Sequence, residues 1–203
     1  MKQNKLTAVI QTYNRYELLR KCVDSAKKYC NRIIVVDGAF ADYPHEQPYS
    51  TDFTQDVALI KEVELITTEH PWETEAEKRN AYLSLLRPNE WFIYLDDDEQ
   101  IINLNLDNII YDMALVDIAI GKEVYQAPRV IKYKPGLRYI AHYIVSYQAQ
   151  HYDLGFGRRN KGEAIGKIKT TILPEVEDYL EWKKTQRAKE GLIKGKILFF
   201  SIG

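Results

Sequence analysis

Four consecutive acids, Asp96 to Glu99, follow the apolar run Trp91 to Leu95 in "EWFIYLDDDEQI". Neighbouring like charges repel, and they do so more strongly at the edge of a low-dielectric core than in water. A solvated turn or a site that expects a cation would each account for them. Side chains alternate along a strand with period two, so Asp96 and Asp98 should leave its end in nearly the same direction. Two carboxylates so placed suit a hard divalent cation, which prefers oxygen ligands. Asp97 is expected to point the other way or into the turn.

Two other apolar runs also end in polar groups. "LTAVIQT", residues 6 to 12, leads into Thr12, Tyr13, Asn14 and Arg15, and "RIIVVDGAF" carries Asp37 just before Gly38. Both runs are short and rich in β-branched residues, as buried strands are. In an open parallel sheet, ligands gather beyond the carboxyl ends of the strands, so these groups are candidates for one crevice.

The elements that must position them follow from periodicity. Leu19, Cys22, Val23 and Ala26 recur at helical spacing between the first two runs, which makes a βαβ unit. Residues 41–56 lack periodicity and read as a surface loop. A strand is expected within 59–67. Thr74 stands three residues before Glu77, a capping-box spacing that starts a helix, and Pro88 and Asn89 end it. "WFIYL" is then a strand. A further helix is expected over 105–120, with Leu106, Ile109, Ile110, Met113 and Ile120 on one side and Gly121 as its stop. Beyond it the chain reads as extended, largely antiparallel segments, an amphipathic helix over "EVEDYLEWKKTQRAKEGL" and a terminal apolar run, "KILFFSI". The fold class expected is α/β, a mostly parallel mixed sheet flanked by helices.

The 203 residues suffice for one sizeable core, and a hydrophobic fraction of 45% with 28% charged residues is that of an ordinary globular protein. A net charge of -1 argues against a dedicated nucleic-acid binder. From Arg158 onward basic residues outnumber acidic ones, 11 to 6. That end could meet an anionic surface or substrate, or simply be a solvated helix face. Two cysteines make no disulfide framework, and no run approaches a membrane span, so the chain reads as cytoplasmic, with peripheral membrane contact open to the C-terminal helix.

"TAVIQTYNRYELLRKCVDS", "RIIVVDGAF", "EAEKRNAYL" and "WFIYLDDDEQI" resemble, in order and approximate spacing, family 2-type glycosyltransferases with the GT-A fold, the very compact members encoded by archaeal viruses among them. The similarity covers about the first 100 residues. It implies a nucleotide-sugar-dependent transferase built as one domain over 1–203, with 1–121 as the nucleotide-sugar half and 122–203 as the acceptor side. Thr12, Tyr13, Asn14 and Arg15 would lie along the nucleotide, and Asp37 would hydrogen-bond the base. Arg79 and Asn80 would sit against base or ribose, Asp96 would face ribose and metal, and Asp98 would hold the metal. The implied cofactor is Mn²⁺ or Mg²⁺ and the implied donor a UDP- or GDP-type sugar, with a glycan, protein or lipid acceptor. Plainer roles stand beside these: Arg79 can pair with Glu75 four residues earlier, Asn80 can be an exposed helix residue, Tyr13 can be packing, and an acid before glycine is ordinary turn chemistry.

In the second half, Asp153 precedes two glycines in a loop and is the candidate base for the acceptor hydroxyl. Glu177 and Asp178 are better explained by a helix start. His142 and His151 are candidate third metal ligands, and Arg158 and Arg159 could grip a diphosphate. A nucleotidyltransferase of related architecture is the competing enzyme class, although "QTYNRYE" lacks the glycines of a phosphate loop. A transferase-like binding module without catalysis is the other alternative.

Overall fold

A computed structural model describes residues 5–43, 45–60, 63–107, 109, 112–140, 143–146 and 164–171. The chain opens with the expected unit. Strand β1 (Leu6–Thr12), helix α1 (Tyr16–Ala26) and strand β2 (Arg32–Asp37) form in order, and β1 and β2 pair in parallel with Thr12 opposite Asp37. Strand β1 is buried throughout because both of its faces are covered, which is why it reads as a continuous apolar run rather than an alternation. Helix α1 turns Leu18, Leu19, Cys22, Val23 and Ala26 inward.

Helix α2 (Thr54–Ile60) and the short strand β3 (Glu64–Ile66) follow. The expected loop over 41–56 therefore ends in a helix, and the strand expected within 59–67 shrinks to three residues beside β2. Helix α3 (Glu75–Leu83) starts as the capping spacing requires: Thr74 Oγ1 accepts from the Glu77 N–H at 3.1 Å, and Glu77 Oε2 accepts from the Glu73 N–H at 2.8 Å.

Strand β4 (Trp91–Asp96) lies on the other side of β1, in parallel, with Leu6 opposite Trp91 and Gln11 opposite Asp96. The acidic turn leads into β5 (Glu99–Leu104), and the chain continues through β6 (Met113–Ile120), β7 (Glu123–Lys132) and β10 (Gly166–Thr170). The eight strands make one mixed sheet in the order β3-β2-β1-β4-β7-β6-β10-β5, and β8 (Leu137–Ile140) pairs with β9 (Tyr143–Ser146) in a separate hairpin. The sheet curls, so that its edge strand β5 packs on α1. The Ile101 N–H donates to Ser25 Oγ at 3.0 Å and the Tyr29 hydroxyl to the Ile102 carbonyl at 2.8 Å.

The helix expected over 105–120 is corrected: residues 113–120 are a strand. Ala114, Val116 and Ile118 alternate inward toward the core while Asp117 pairs with Gln126 at the surface. Gly121, at φ 57°, closes a two-residue hairpin to β7 rather than a helix. A strand with apolar residues on both faces satisfies helical spacing by accident. The expected C-terminal helix and apolar tail lie outside the described residues. No described helix is long and apolar enough to cross a membrane.

Two apolar layers cover the sheet. Leu6, Ala8, Ile10, Ile93 and Leu95 face α1, while Val9, Ile34, Val36 and Phe92 face Tyr82 and Leu83 of α3. Strand parity therefore puts Gln11 and Asp96 on the α3 side of the sheet.

Candidate active site

The order of the sheet reverses at β1, with β2 on one side and β4 on the other. Such a switch point is where open α/β sheets leave a crevice for ligands. A recess there is lined by Gln11, Thr12, Tyr13, Arg15, Ala39, Phe40, Tyr43, Lys78 and Asp97. It measures about 30 Å³, room for roughly two water molecules.

Asp97 lines this recess. It is buried, accepts from Thr12 Oγ1 at 2.9 Å and pairs with Arg15 Nη1 at 3.4 Å. Burial raises its carboxyl above the ordinary value, while the Arg15 guanidinium and the Thr12 hydroxyl oppose that rise.

Lys78, which sequence reasoning passed over, is a second buried charged residue in the lining of the recess. Its Nζ donates to the Thr12 carbonyl at 2.7 Å and the Gly38 carbonyl at 2.6 Å, and it stands 5.0 Å from the centre of the Phe40 ring. The lysine thereby ties the ends of β1 and β2 together. Burial pushes its amine down to about 8, although Asp37, Asp97 and Asp96 pull it up. Nothing in "EAEKRNAYL" separates this lysine from a solvated one, because its burial is set by the sheet.

The turn Tyr13–Arg15 is held by residues 47–55. Asn14 adopts a left-handed conformation, φ 49°, which asparagine tolerates better than most residues. Its N–H donates to Ser50 Oγ at 2.7 Å, and its Oδ1 accepts from the Thr51 N–H at 2.7 Å. Thr54 Oγ1 accepts from the Arg15 N–H at 3.1 Å and Asp52 Oδ2 from the Tyr16 N–H at 3.0 Å, so another segment satisfies the start of α1. The Tyr13 hydroxyl donates to the Gln47 carbonyl at 3.0 Å.

Asp37 is fully buried beneath this wrap. Its Oδ1 accepts from the Ser50 hydroxyl at 2.5 Å, and its Oδ2 accepts from the Ser50 N–H at 2.9 Å and Gln55 Nε2 at 3.4 Å. Gly38, at φ 135°, lets the Trp72 indole N–H reach the Asp37 carbonyl at 3.1 Å. A Cβ on Gly38 would stand 2.7 Å from Trp72 Nε1.

Arg79 and Asn80 do not line the recess. Arg79 pairs with Glu75 at 2.5 Å and stacks near Tyr94 and Tyr139, 5.0 and 5.3 Å from the ring centres. The Asn80 amide grips the backbone of β8, Nδ2 donating to the Tyr139 carbonyl at 3.1 Å and Oδ1 accepting from its N–H at 2.7 Å.

At the end of β4, Asp96 is partly exposed. Gln11 Nε2 donates to its Oδ1 at 3.5 Å, and its own N–H donates to Glu99 Oε2 at 3.0 Å. Glu99 is buried against Arg129, 2.6 Å away, and Arg129 also donates to the Tyr94 carbonyl at 3.3 Å. The ion pair holds the Arg129 guanidinium charged against the opposing effect of burial. Asp98 is partly exposed in the turn, where its carbonyl accepts from the Thr171 N–H at 2.8 Å. His142, His151, Asp153, Arg158, Arg159, Glu177 and Asp178 lie outside the described residues.

Among the described residues, no group of three or more His, Cys, Asp or Glu side chains is placed to hold a metal ion. Asp96 and Asp98 offer hard oxygen donors at a partly open strand end. One or two carboxylates, completed by water and substrate phosphates, are what Mg²⁺ commonly takes. The donor set therefore fits a cation that arrives with its phosphates.

No family model and no curated protein matches the chain. Among solved structures, it is similar to glucosyl-3-phosphoglycerate synthase from Mycobacterium tuberculosis in complex with Mn²⁺, uridine diphosphate and glucosyl-3-phosphoglycerate, at 15% identity and a TM-score of 0.40 over 59% of this chain and 45% of that one. A mannosyltransferase from Pyrobaculum calidifontis in complex with GDP-Man and Mn²⁺ gives 17% identity and a TM-score of 0.41 over 59% of this chain and 36% of that one. The aligned part covers less than half of either solved chain. At that identity and score the likeness carries no conclusion about the chemistry of this chain.

Proposed function

We propose that the chain is a metal-dependent glycosyltransferase that moves a sugar from a UDP- or GDP-type donor to a hydroxyl of a glycan, protein or lipid acceptor. The observation that carries the reading is the pairing of β1 with β4. It sets Asp96 beside Gln11 at the switch point, next to the Thr12–Arg15 turn, with Asp98 two residues on. The family 2-type resemblance of the same four segments supports it.

In this reading Asp96 and Asp98 hold Mn²⁺ or Mg²⁺. When bound, the ion neutralises charge that grows on the departing nucleoside diphosphate. Thr12 to Arg15 line the nucleotide's path, and Asp37 acts through Ser50 by fixing the loop that shapes this turn. Arg79 and Asn80 hold β8 against α3, which keeps Tyr139 and Tyr94 in place on the Asp96 side of the sheet. Asp153 as acceptor base, and His142 or His151 as a third metal ligand, complete the proposal.

Purified Asp98→Asn tests it, assayed with Mn²⁺ against a panel of nucleotide sugars. The variant should fold as the wild type does and lose metal-dependent turnover. Full turnover would overturn the assignment, and wild-type protein inert toward every donor would favour a non-catalytic binding module.

A further inference from the structure

Gln11 stands opposite Asp96 in the parallel pair of β1 and β4, and it is 9% exposed. Its Nε2 faces the Asp96 carboxylate, the amide orientation that avoids setting two oxygens in contact. Its Oε1 has no hydrogen-bond partner among the described residues, although the side chain lines the recess. A buried carbonyl oxygen without a donor is costly, so a fold that keeps one calls for a reason.

The surroundings narrow that reason. Several donors nearby have other acceptors: the Thr12 hydroxyl bonds Asp97, two of the three Lys78 N–H groups bond the carbonyls of Thr12 and Gly38, and the Tyr13 hydroxyl bonds Gln47. Two cationic side chains, Arg15 and Lys78, and one carboxylate, Asp97, line the recess, a balance that disfavours a further cation there. A phosphate oxygen would meet the negative end of the Gln11 carbonyl dipole. A neutral O–H or N–H is the group this oxygen suits.

We propose that Gln11 is a specificity-determining residue: Oε1 accepts a hydrogen bond from a neutral donor of the bound nucleoside, a ribose hydroxyl or a base N–H, while Nε2 steadies Asp96. This rests on the reading of the site as one for a nucleoside diphosphate. The orphaned oxygen is then an acceptor that the ligand satisfies, and recognition is built into the strand itself.

Calorimetric titration of wild-type protein and Gln11→Met with UDP and GDP in the presence of Mn²⁺ tests this, alongside the 2′-deoxy, 3′-deoxy and base-N-methyl forms of each. Methionine keeps the volume and removes the acceptor together with the Nε2 donor that faces Asp96. The ligand-free variant should melt close to the wild-type temperature, because the buried unpaired oxygen and the 3.5 Å bond to Asp96 are lost together. Its affinity for the preferred nucleotide should fall roughly three- to tenfold, the worth of one neutral hydrogen bond. That difference should shrink for one modified probe and not for the others: a deoxy form if the ribose supplies the donor, the N-methyl form if the base does. Equal affinities of both proteins for every probe would overturn the assignment, as would the same loss across all probes, which a merely structural role would give. Wild-type protein that binds no nucleoside diphosphate would overturn the functional reading itself, and this assignment with it.

Discussion

The Lys78 ammonium group donates to the carbonyl oxygen of Thr12 at 2.7 Å, from a side chain that is itself buried. With its second bond, to the Gly38 carbonyl, it fastens together the two strand ends that frame the recess. The site thus rests on a buried cation placed among Asp37, Asp96 and Asp97.

A pH dependence follows. Burial depresses the Lys78 amine from 10.5 to about 8, so between those values the unfolded chain binds the proton that the folded chain has released. Stability should rise with pH across that window, and the gain should be lost as pH falls through about 8. Urea unfolding of wild type and Lys78→Met at several pH values isolates the effect. The stability difference should move in favour of the wild type by on the order of 1–3 kcal/mol from pH 8 to pH 10. A difference that stays flat would contradict it.

The Glu99–Arg129 pair supports Asp96 from behind, since Glu99 accepts the Asp96 N–H. Arg129→Met leaves a buried carboxylate without its cation and should cost about 3–5 kcal/mol in urea unfolding. Adding Glu99→Gln removes the stranded charge and keeps an acceptor for Asp96, so the double variant should recover much of that loss. A double variant as unstable as the sum of the two singles would show that the pair is not coupled as the geometry requires.

Gly38 sits where an added Cβ would be crowded and the backbone strained. At φ 135°, with Trp72 Nε1 at 2.7 Å and the Pro48 carbonyl at 3.0 Å from a built Cβ, Gly38→Ala should destabilise by roughly 2–5 kcal/mol through backbone strain and overpacking. The near-ultraviolet circular dichroism of the tryptophans should change with it, because the Trp72 bond to Asp37 is displaced. An alanine variant that melts within a degree of wild type would rule this out.

The first hundred residues were the legible ones, for reasons local to the chain. The strands β1, β2 and β4 are buried on both faces and announce themselves as β-branched apolar runs, and Thr74 and Glu77 mark the start of α3 with their own side chains. Strand β6 reads as a helix in sequence because Met113 and Ile120 fall at helical spacing with Leu106 and Ile109, whereas the burial of Ala114, Val116 and Ile118 depends on partners far along the chain. The candidate site shows the same division. Thr12, Arg15 and the acidic turn stand out as polar groups at strand ends. Lys78, Ser50 and Arg129 act only through where the sheet carries them, and Gln11 gains its meaning from the register that sets Asp96 opposite.

Nucleotide binding that depends on the metal lies at the centre of the proposed function, and thermal melting reads it directly. Wild-type protein and Asp98→Asn are melted with UDP and with GDP, each with and without Mn²⁺. One nucleotide should raise the wild-type melting temperature only when Mn²⁺ is present, by an amount that grows with concentration toward about 2.7 kcal/mol of added stability at a hundredfold excess over its dissociation constant. The variant should melt like wild type alone and show no such rise. A wild-type melting temperature unmoved by either nucleotide with Mn²⁺, or an Asp98→Asn response equal to that of the wild type, would contradict the proposal.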